Sequence, residues 1–303
     1  MRSRARNGLA TSVHWSTYCR MLNSESPQTN DGPDASQPLD WLVRTLTREP
    51  QTWALFLDID GTLIDLAPSP DDIVVPPDLP DHLTSVSGHL GGALALVTGR
   101  ALPYADRLFQ PHMFPIAGLH GSERRTADGT VSRVAATDAF DEVKSALQAA
   151  AGRWPGVLIE NKGAAVAAHY RQAQEHRADV EEAMEYYLLQ AGPDFTLQRG
   201  KMVFEIRPAR ADKGGALQSY LGEEPFKGRR PIAIGDDVTD EAMFKVVNEL
   251  NGHSIRVAET AGDTAARSIV ASAADIRQAL ADIADAARGL PNPEDASQKG
   301  KRS

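Results

Sequence analysis

Trp53-Ala54-Leu55-Phe56-Leu57-Asp58-Ile59-Asp60-Gly61-Thr62 passes from five unbroken apolar residues directly into two aspartates, a glycine and a threonine. A short apolar run without polar alternation, closed by Asp and Gly, describes a strand buried on both faces. Asp58 and Asp60 stand two apart where the run ends, so their carboxylates project toward the same region. Paired carboxylates in such a place suit metal binding and acid–base work. Taken alone, the stretch also reads as a tight loop built on Asp turn residues.

Four further apolar runs have the same form: Gly92 to Val97, Pro115 to Gly118, Pro231 to Ile234 and Ser254 to Val257. Helical patterns lie between several of them, at Leu79 to Leu90, Pro103 to Phe109, Gly214 to Leu221 and Asp240 to Leu250. Buried strands alternating with helices predict an α/β fold, a parallel sheet with helices on both faces. Such sheets bind ligands in the crevice outside the carboxyl ends of their strands. The polar residues that follow each run therefore gain weight.

The middle of the chain, residues 134–206, has a different rhythm. A long amphipathic pattern at Asp138 to Ala151 precedes the apolar segments Val157 to Lys162 and Ala165 to Tyr170, then a helical stretch at Arg177 to Gln190. Leu197 to Arg207 closes it, and there Lys201, Val203, Glu205 and Arg207 alternate with Met202, Phe204 and Ile206, the period of a strand with one apolar and one mostly polar face. The segment reads as an open-faced α+β insert. The folded body is expected to comprise a core of residues 39–133 and 207–290 with this insert between the two halves.

The flanks read as tails. Residues 23–38 are dense in Ser, Pro, Asp, Asn and Gln and bury too little apolar area to offset the entropy of ordering, and residues 291–303 repeat that composition. Residues 1–38 and 291–303 are expected to be a disordered tail with linker and a second disordered tail. Arg2, Arg4, Arg6 and Arg20 stand near the start without the continuous apolar region of a secretory signal; an organelle-targeting peptide or a misassigned start are the other readings. A net charge of -9 argues against a broad attraction to nucleic acid or an anionic membrane surface. Cys19 is the only cysteine, which excludes an intrachain disulfide and fits a reducing cytoplasm. No apolar stretch approaches the roughly 20 residues of a membrane span. The oligomeric state stays open, with a monomer admitted.

Four motifs carry the chemistry, in chain order. Phosphate monoesters are among the slowest biological bonds to hydrolyse, with enzymatic accelerations approaching ~10²¹-fold, and division of the reaction through an aspartyl-phosphate is one solution. In that scheme Asp58 attacks phosphorus while Asp60 protonates the departing oxygen and later deprotonates the attacking water. Gly61 admits close backbone approach and Thr62 ties the turn. Thr98-Gly99-Arg100 follows the second run, where a hydroxyl and main-chain N–H groups hold a phosphate oxygen; a Thr N-cap is the plainer reading. Lys213, beside Asp212 at a helix start, places a cation where phosphate meets unpaired N–H groups, although a single Lys is ordinarily a solvated one. Gly235-Asp236-Asp237-Val238-Thr239-Asp240-Glu241 brings four acidic residues to the end of a buried strand, costly unless a cation or hydrogen bonds compensate. Asp58, the Asp60 carbonyl and Asp236, with phosphate and water, form an oxygen set suited to Mg²⁺. The plainer reading of that segment is a capped surface turn.

Together these motifs resemble the haloacid dehalogenase superfamily of phosphotransferases at Asp58/Asp60, Thr98, Lys213 and Asp236/Asp240. The resemblance implies a Rossmann-like core, an aspartyl-phosphate intermediate and an inserted cap whose closure excludes water. More narrowly, Gly118-Leu119-His120-Gly121-Ser122-Glu123-Arg124, Glu160-Asn161-Lys162-Gly163, His169-Tyr170-Arg171, Gly200-Lys201 and the segment from Gly235 to Phe244 are similar to the trehalose-phosphatase family over about Trp53 to Leu250. That resemblance implies hydrolysis of trehalose 6-phosphate, the last step of trehalose biosynthesis. It implies catalytic roles for Asp58, Asp60, Thr98 and Lys213 and Mg²⁺ on Asp58, Asp60 and Asp236. Substrate contacts are expected from Gly61, Gly99, Arg100, His120, Glu160, Lys162, His169, Arg171, Lys201 and Glu205, with support from Thr62, Asp237 and Asp240. Glu160 with Lys162, and Lys201 with Glu205, share strand faces and offer carboxylates and ammonium donors to sugar hydroxyls; a merely solvated sheet face is the rival reading. The rival functions are a phosphatase of another sugar phosphate, such as sucrose 6-phosphate or a mannosylglycerate phosphate, and a catalytically silent sugar-phosphate sensor.

Overall fold

The computed structural model describes residues 37–67, 73–134, 137–200, 202–209, 212–260 and 262–289. Residues 1–36 of the expected first tail and the expected second tail at 291–303 lie outside them, whereas Pro38, placed in the first tail, opens the first helix. In chain order the elements are α1 (Pro38–Arg48), β1 (Trp53–Leu57), α2 (Leu79–His89), β2 (Leu94–Val97), α3 (Leu102–Leu108), β3 (Ile116–Gly118), β4 (Glu123–Arg125) and β5 (Val131–Arg133). There follow α4 (Asp138–Ala150), β6 (Leu158–Asn161), β7 (Val166–His169), α5 (Arg177–Ala191), β8 (Phe195–Gly200) and β9 (Val203–Pro208). The chain then returns through α6 (Lys213–Leu221), β10 (Arg230–Gly235), α7 (Glu241–Glu249), β11 (His253–Val257), β12 (Ser268–Val270) and α8 (Ala273–Ala287).

The first sheet has the order β12-β11-β10-β1-β2-β3-β4-β5, parallel from β12 through β3 and antiparallel across the last two pairs. Trp53 to Leu57 is buried at every residue, and so is Leu94 to Val97, as strands covered on both faces must be. β1 lies between β10 and β2, so the loops after these three strands open at one edge of the sheet, which brings Asp58, Thr98 and Asp236 together. β2 starts two residues later than the apolar run suggests, because Gly91 and Gly92 both take positive φ and turn the chain into it.

β4 and β5 carry Glu123-Arg124-Arg125 and Val131-Ser132-Arg133, and their polar character hides them from a search for apolar runs. β4 is nevertheless largely buried because its charges are matched. Arg125 donates to Asp106 at 2.9 and 2.7 Å and to the Phe114 carbonyl, and Arg124 to Glu223 at 2.8 Å on each arm. Bidentate pairing of this kind makes a buried guanidinium tolerable.

The second sheet is wholly antiparallel, order β6-β7-β9-β8. α4 and α5 cover one of its faces through Phe140, Leu147, Val180 and Met184, which pack with Ile159, Phe204 and Ile206. The strand expected from the alternation between Lys201 and Arg207 corresponds to β9, but the closing segment is a hairpin: β8 and β9 pair from Phe195↔Pro208 to Gly200↔Val203. The turn needs a left-handed residue, and Met202 supplies it at φ 63°. With Met rather than Asn or Gly at that position, the alternation passes the reversal unmarked. β9 also extends to Pro208, so the second sheet reaches past residue 206. Among the described residues no helix is long and apolar enough to cross a membrane.

Candidate active site

Asp58, at the carboxyl end of β1, is 4% exposed and fixed by its own N–H, which donates to the Ile234 carbonyl on the neighbouring strand at 3.0 Å. Lys213, the first residue of α6, reaches under it: Nζ donates to Asp58 Oδ1 at 2.6 Å and to Asp240 Oδ1 at 2.7 Å. Asp240 Oδ2 accepts the N–H groups of Asp236 and Asp237, each at 3.1 Å, and so shapes the loop after β10. The acidic segment is thus a capped turn and a cluster of carboxylates at once. Gly235 permits this, since a Cβ there would stand 2.2 Å from the Asp240 carboxyl carbon. α6 itself is capped by Asp212, whose Oδ1 accepts the Gly215 N–H at 2.8 Å.

Asp58, Asp236 and Asp240 offer carboxylate oxygens within 4.8 Å of one another. Burial raises the Asp58 carboxyl well above its ordinary value; Lys213 opposes the rise, and Asp240 and Asp236 add to it. Asp236 is pushed up to about 7 by burial and by the charges of Asp240 and Asp237. Burial works against the Lys213 ammonium, but Asp58 and Asp240 hold its pKa above the usual lysine value. Three carboxylates around one ammonium leave surplus negative charge in a buried place, and Asp236 Oδ1 is buried without a hydrogen-bond partner. An all-oxygen donor set with an orphaned acceptor fits a hard divalent cation. Gly61 faces this spot at φ 77°, and a Cβ on it would fall 2.1 Å from Asp236 Oδ2.

Arg100 grips Asp60 through two bonds, Nε to Oδ2 at 2.6 Å and Nη2 to Oδ1 at 2.5 Å. Arg100 was expected on the substrate; here its guanidinium orients the second aspartate and lies over the Tyr104 ring at 4.4 Å. Thr98 is fully buried, and its Oγ1 accepts the Arg100 N–H at 3.1 Å. It is not an N-cap, because Ala101 precedes α3. Thr62 Oγ1 stands 3.5 Å from Asp58 Oδ2. His120, at φ 56°, packs against Gly99, where a Cβ would meet the imidazole at 2.8 Å. Burial, then Lys213, Arg207 and Lys162, lower His120 to about 3, so it is a neutral imidazole, with Nδ1 buried and unpartnered.

The open face of the second sheet carries the remaining candidates. Register aligns Glu160, Ala167, Glu205 and Gln198 across its four strands. Lys162 Nζ donates to Glu205 Oε2 at 2.6 Å and stands 3.9 Å from Glu160, which bonds His169 Nε2 at 2.9 Å. That bond, with Lys162, holds Glu160 below the usual glutamate range. A cavity of about 550 Å³ joins the two sheets, lined by His120, Asp212, Lys213, Asp237 and Thr239 from one and Thr196, Gln198 and Arg207 from the other. Arg171 lies in the exposed turn after β7, and neither it nor Glu160, Lys162, His169 and Glu205 is among the residues lining this cavity. Lys201 falls outside the described residues. Arg207, Gln198, Thr196 and Thr239 are lining residues that reading the sequence missed. The shared face with Glu205 was a usable signal for Arg207, whereas Gln198 becomes visible only through the β8–β9 register.

The chain matches the family model described as Trehalose-phosphatase over residues 56–275. It is 57% identical over 242 residues to a probable trehalose-phosphate phosphatase of Sinorhizobium fredii, covering 80% of this chain and 91% of that protein. It is 40% identical over 220 residues to the trehalose-6-phosphate phosphatase of Escherichia coli, covering 71% and 82% respectively. Its fold is similar to a haloacid dehalogenase-like hydrolase from Bacteroides thetaiotaomicron, with a TM-score of 0.58, 16% identity and coverage of 76% of this chain and 98% of that one.

Proposed function

The chain belongs to the trehalose-phosphatase family, and from that premise we propose that it hydrolyses trehalose 6-phosphate by a two-step displacement at Asp58. The observation that carries the mechanism is the position of Lys213, bonded to Asp58 and Asp240 on the floor of a cavity whose far wall belongs to the second sheet. Lys213 fixes one Asp58 oxygen and so the direction of the carboxylate, and it places a positive charge where phosphate arrives.

In the first step an Asp58 oxygen forms a bond to phosphorus as the bond from phosphorus to the sugar oxygen breaks, and Asp60 gives that oxygen its proton. In the second, Asp60 takes a proton from water, whose oxygen attacks phosphorus and frees the Asp58 carboxylate along with phosphate. Arg100 holds Asp60 in place for both transfers. The Thr98 hydroxyl and the Gly99 N–H take the phosphate oxygens, since the N–H groups of Thr98 and Arg100 already donate to the Ala117 carbonyl and to Thr98 Oγ1. Asp58, Asp236 and the Asp60 carbonyl are the donors we assign to Mg²⁺, and a bound ion supplies positive charge against the repulsion between carboxylates and phosphate. His120, Glu160, Lys162, His169 and Glu205 form the sugar-recognising wall, with Gln198 and Arg207 added from the cavity lining, and the reaction takes place in the cytoplasm.

Asp58→Asn tests the central assignment: the variant keeps its fold and loses phosphate release by ~10³-fold or more. Turnover retained by this variant removes Asp58 as nucleophile. A panel of sugar phosphates assayed with and without magnesium tests the substrate, and equal turnover of unrelated sugar phosphates removes the specificity assigned to the wall.

A further inference from the structure

Glu123 is a carboxylate only 6% exposed that the chemistry above does not use. Its Oε1 accepts the main-chain N–H of Leu102 at 2.6 Å, and its Oε2 accepts from Arg133 Nε at 3.1 Å. Leu102 opens α3 two residues after Arg100, so the first contact pins the loop that presents Arg100. The other flank of that loop is tied as well. Leu119 donates its N–H to the Arg100 carbonyl at 3.0 Å, and the Arg100 N–H reaches Thr98 Oγ1. Gly118 leaves no slack between them: a Cβ there would lie 2.7 Å from the Arg100 carbonyl oxygen and 3.2 Å from Glu123 Oε1. Arg133, on the other oxygen, is the register partner of Glu123 and the last residue of β5, from which the chain leaves for α4 and the second sheet.

We propose that Glu123 is a positioning residue for proton transfer: by holding the Leu102 N–H it sets the loop that orients Arg100, and through Arg100 the carboxyl of Asp60. Its second oxygen ties the same loop to the strand that leads into the insert. A buried carboxylate is tolerated when its lone pairs are taken by charge-assisted bonds, and here they are taken by groups on two separate segments. A displacement of a positioned catalytic group by about 1 Å costs ~10²-fold in rate, so a loop held at both flanks has direct value for Asp60.

The proposal rests on Asp60 being the general acid, and the test separates the two. The full-length chain and its Glu123→Met, Glu123→Gln and Asp60→Asn variants are assayed with magnesium on phenyl phosphate and p-nitrophenyl phosphate. These substrates have similar size and differ in how far the departing oxygen needs a proton, so contacts with the second sheet largely cancel in the ratio of their kcat/KM values. Glu123→Met fills the volume without an acceptor, and Glu123→Ala replaces it should the Met variant not fold. The expected result is a loss on phenyl phosphate about tenfold greater than on p-nitrophenyl phosphate, most of the ratio recovered in Glu123→Gln, whose Oε1 still accepts the Leu102 N–H, and a larger change of the same sign in Asp60→Asn. Equal losses on both substrates, or a wild-type ratio in the acceptor-less variant while Asp60→Asn has changed, overturn the role of Glu123. A wild-type ratio in Asp60→Asn overturns the reading of Asp60 and this inference with it.

Discussion

At Lys213 an ammonium only 3% exposed stands between Asp58 and Asp240, and neither carboxylate has another cation within bonding distance among the described residues. Replacing it with Met leaves buried negative charges uncompensated, which costs about 3–5 kcal/mol and abolishes phosphate release. Adding Asp240→Asn to Lys213→Met restores part of that stability and none of the activity. Urea unfolding with a parallel phosphate-release assay checks both, and an undiminished midpoint in the single variant would show the cluster to be compensated elsewhere. Gly61 makes a second point at this scale. Its φ of 77° and the 2.1 Å approach of Asp236 Oδ2 to a notional Cβ mean that Gly61→Ala displaces Asp236. The apparent magnesium requirement then rises by about tenfold or more, read from phosphate release against magnesium concentration. The aspartates of the first stretch were legible because residue type and strand end suffice to mark them. The Arg100 grip on Asp60 was not, since nothing in a spacing of 40 residues says that two side chains will meet.

The element that departs furthest from expectation is the β8–β9 hairpin. Period-two alternation reports which face a residue occupies but not whether the chain has reversed, and Met202 in the left-handed region made the reversal without a turn residue. The hairpin matters because it carries Gln198 and Arg207 to the cavity and places Glu205 beside Lys162. Across the same face Glu160 holds His169, and Glu160→Ala is expected to lower kcat/KM for trehalose 6-phosphate by about 10–100-fold, the worth of a hydrogen bond to a charged group. The value for p-nitrophenyl phosphate changes little, since that substrate has no sugar to contact the face. Matched losses on the two substrates place Glu160 outside sugar recognition. The open face was legible as a pattern of polar residues; its ion pairs depend on a register that sequence spacing does not determine.

The molecule as a whole buries residues on either side of the family match at 56–275. α1 sends Leu42 and Leu46 into the core, and α8 adds Ile276, Leu280 and Ile283. Trp41 of α1 also lies against His253, their rings 4.6 Å apart, while His253 Nε2 and Ser268 Oγ stand 2.9 Å apart. Burial, then Arg267 and Arg230, lower His253 from 6.5 to about 4. Between those values the unfolded chain binds a proton that the folded chain refuses, so stability rises with pH across the window and is lost as pH falls through it, by at most about 1.4 kcal/mol per pH unit from this group. Thermal unfolding from pH 4 to 7 of the wild type and His253→Gln checks the sign, with a flatter profile expected in the variant. What the sequence by itself determined was the set of strands that end in acidic and hydroxyl residues, with a lysine at a helix start, and with it the sheet class and the reaction type. Those features are local, written in the apolar period and in residue chemistry. Only the tertiary structure decided that Lys213 bridges Asp58 and Asp240, that Arg100 serves Asp60, that Glu123 braces their loop and that a hairpin walls the cavity. Each of these joins groups far apart in the chain, and their meeting depends on strand order, register and packing, which no local pattern records.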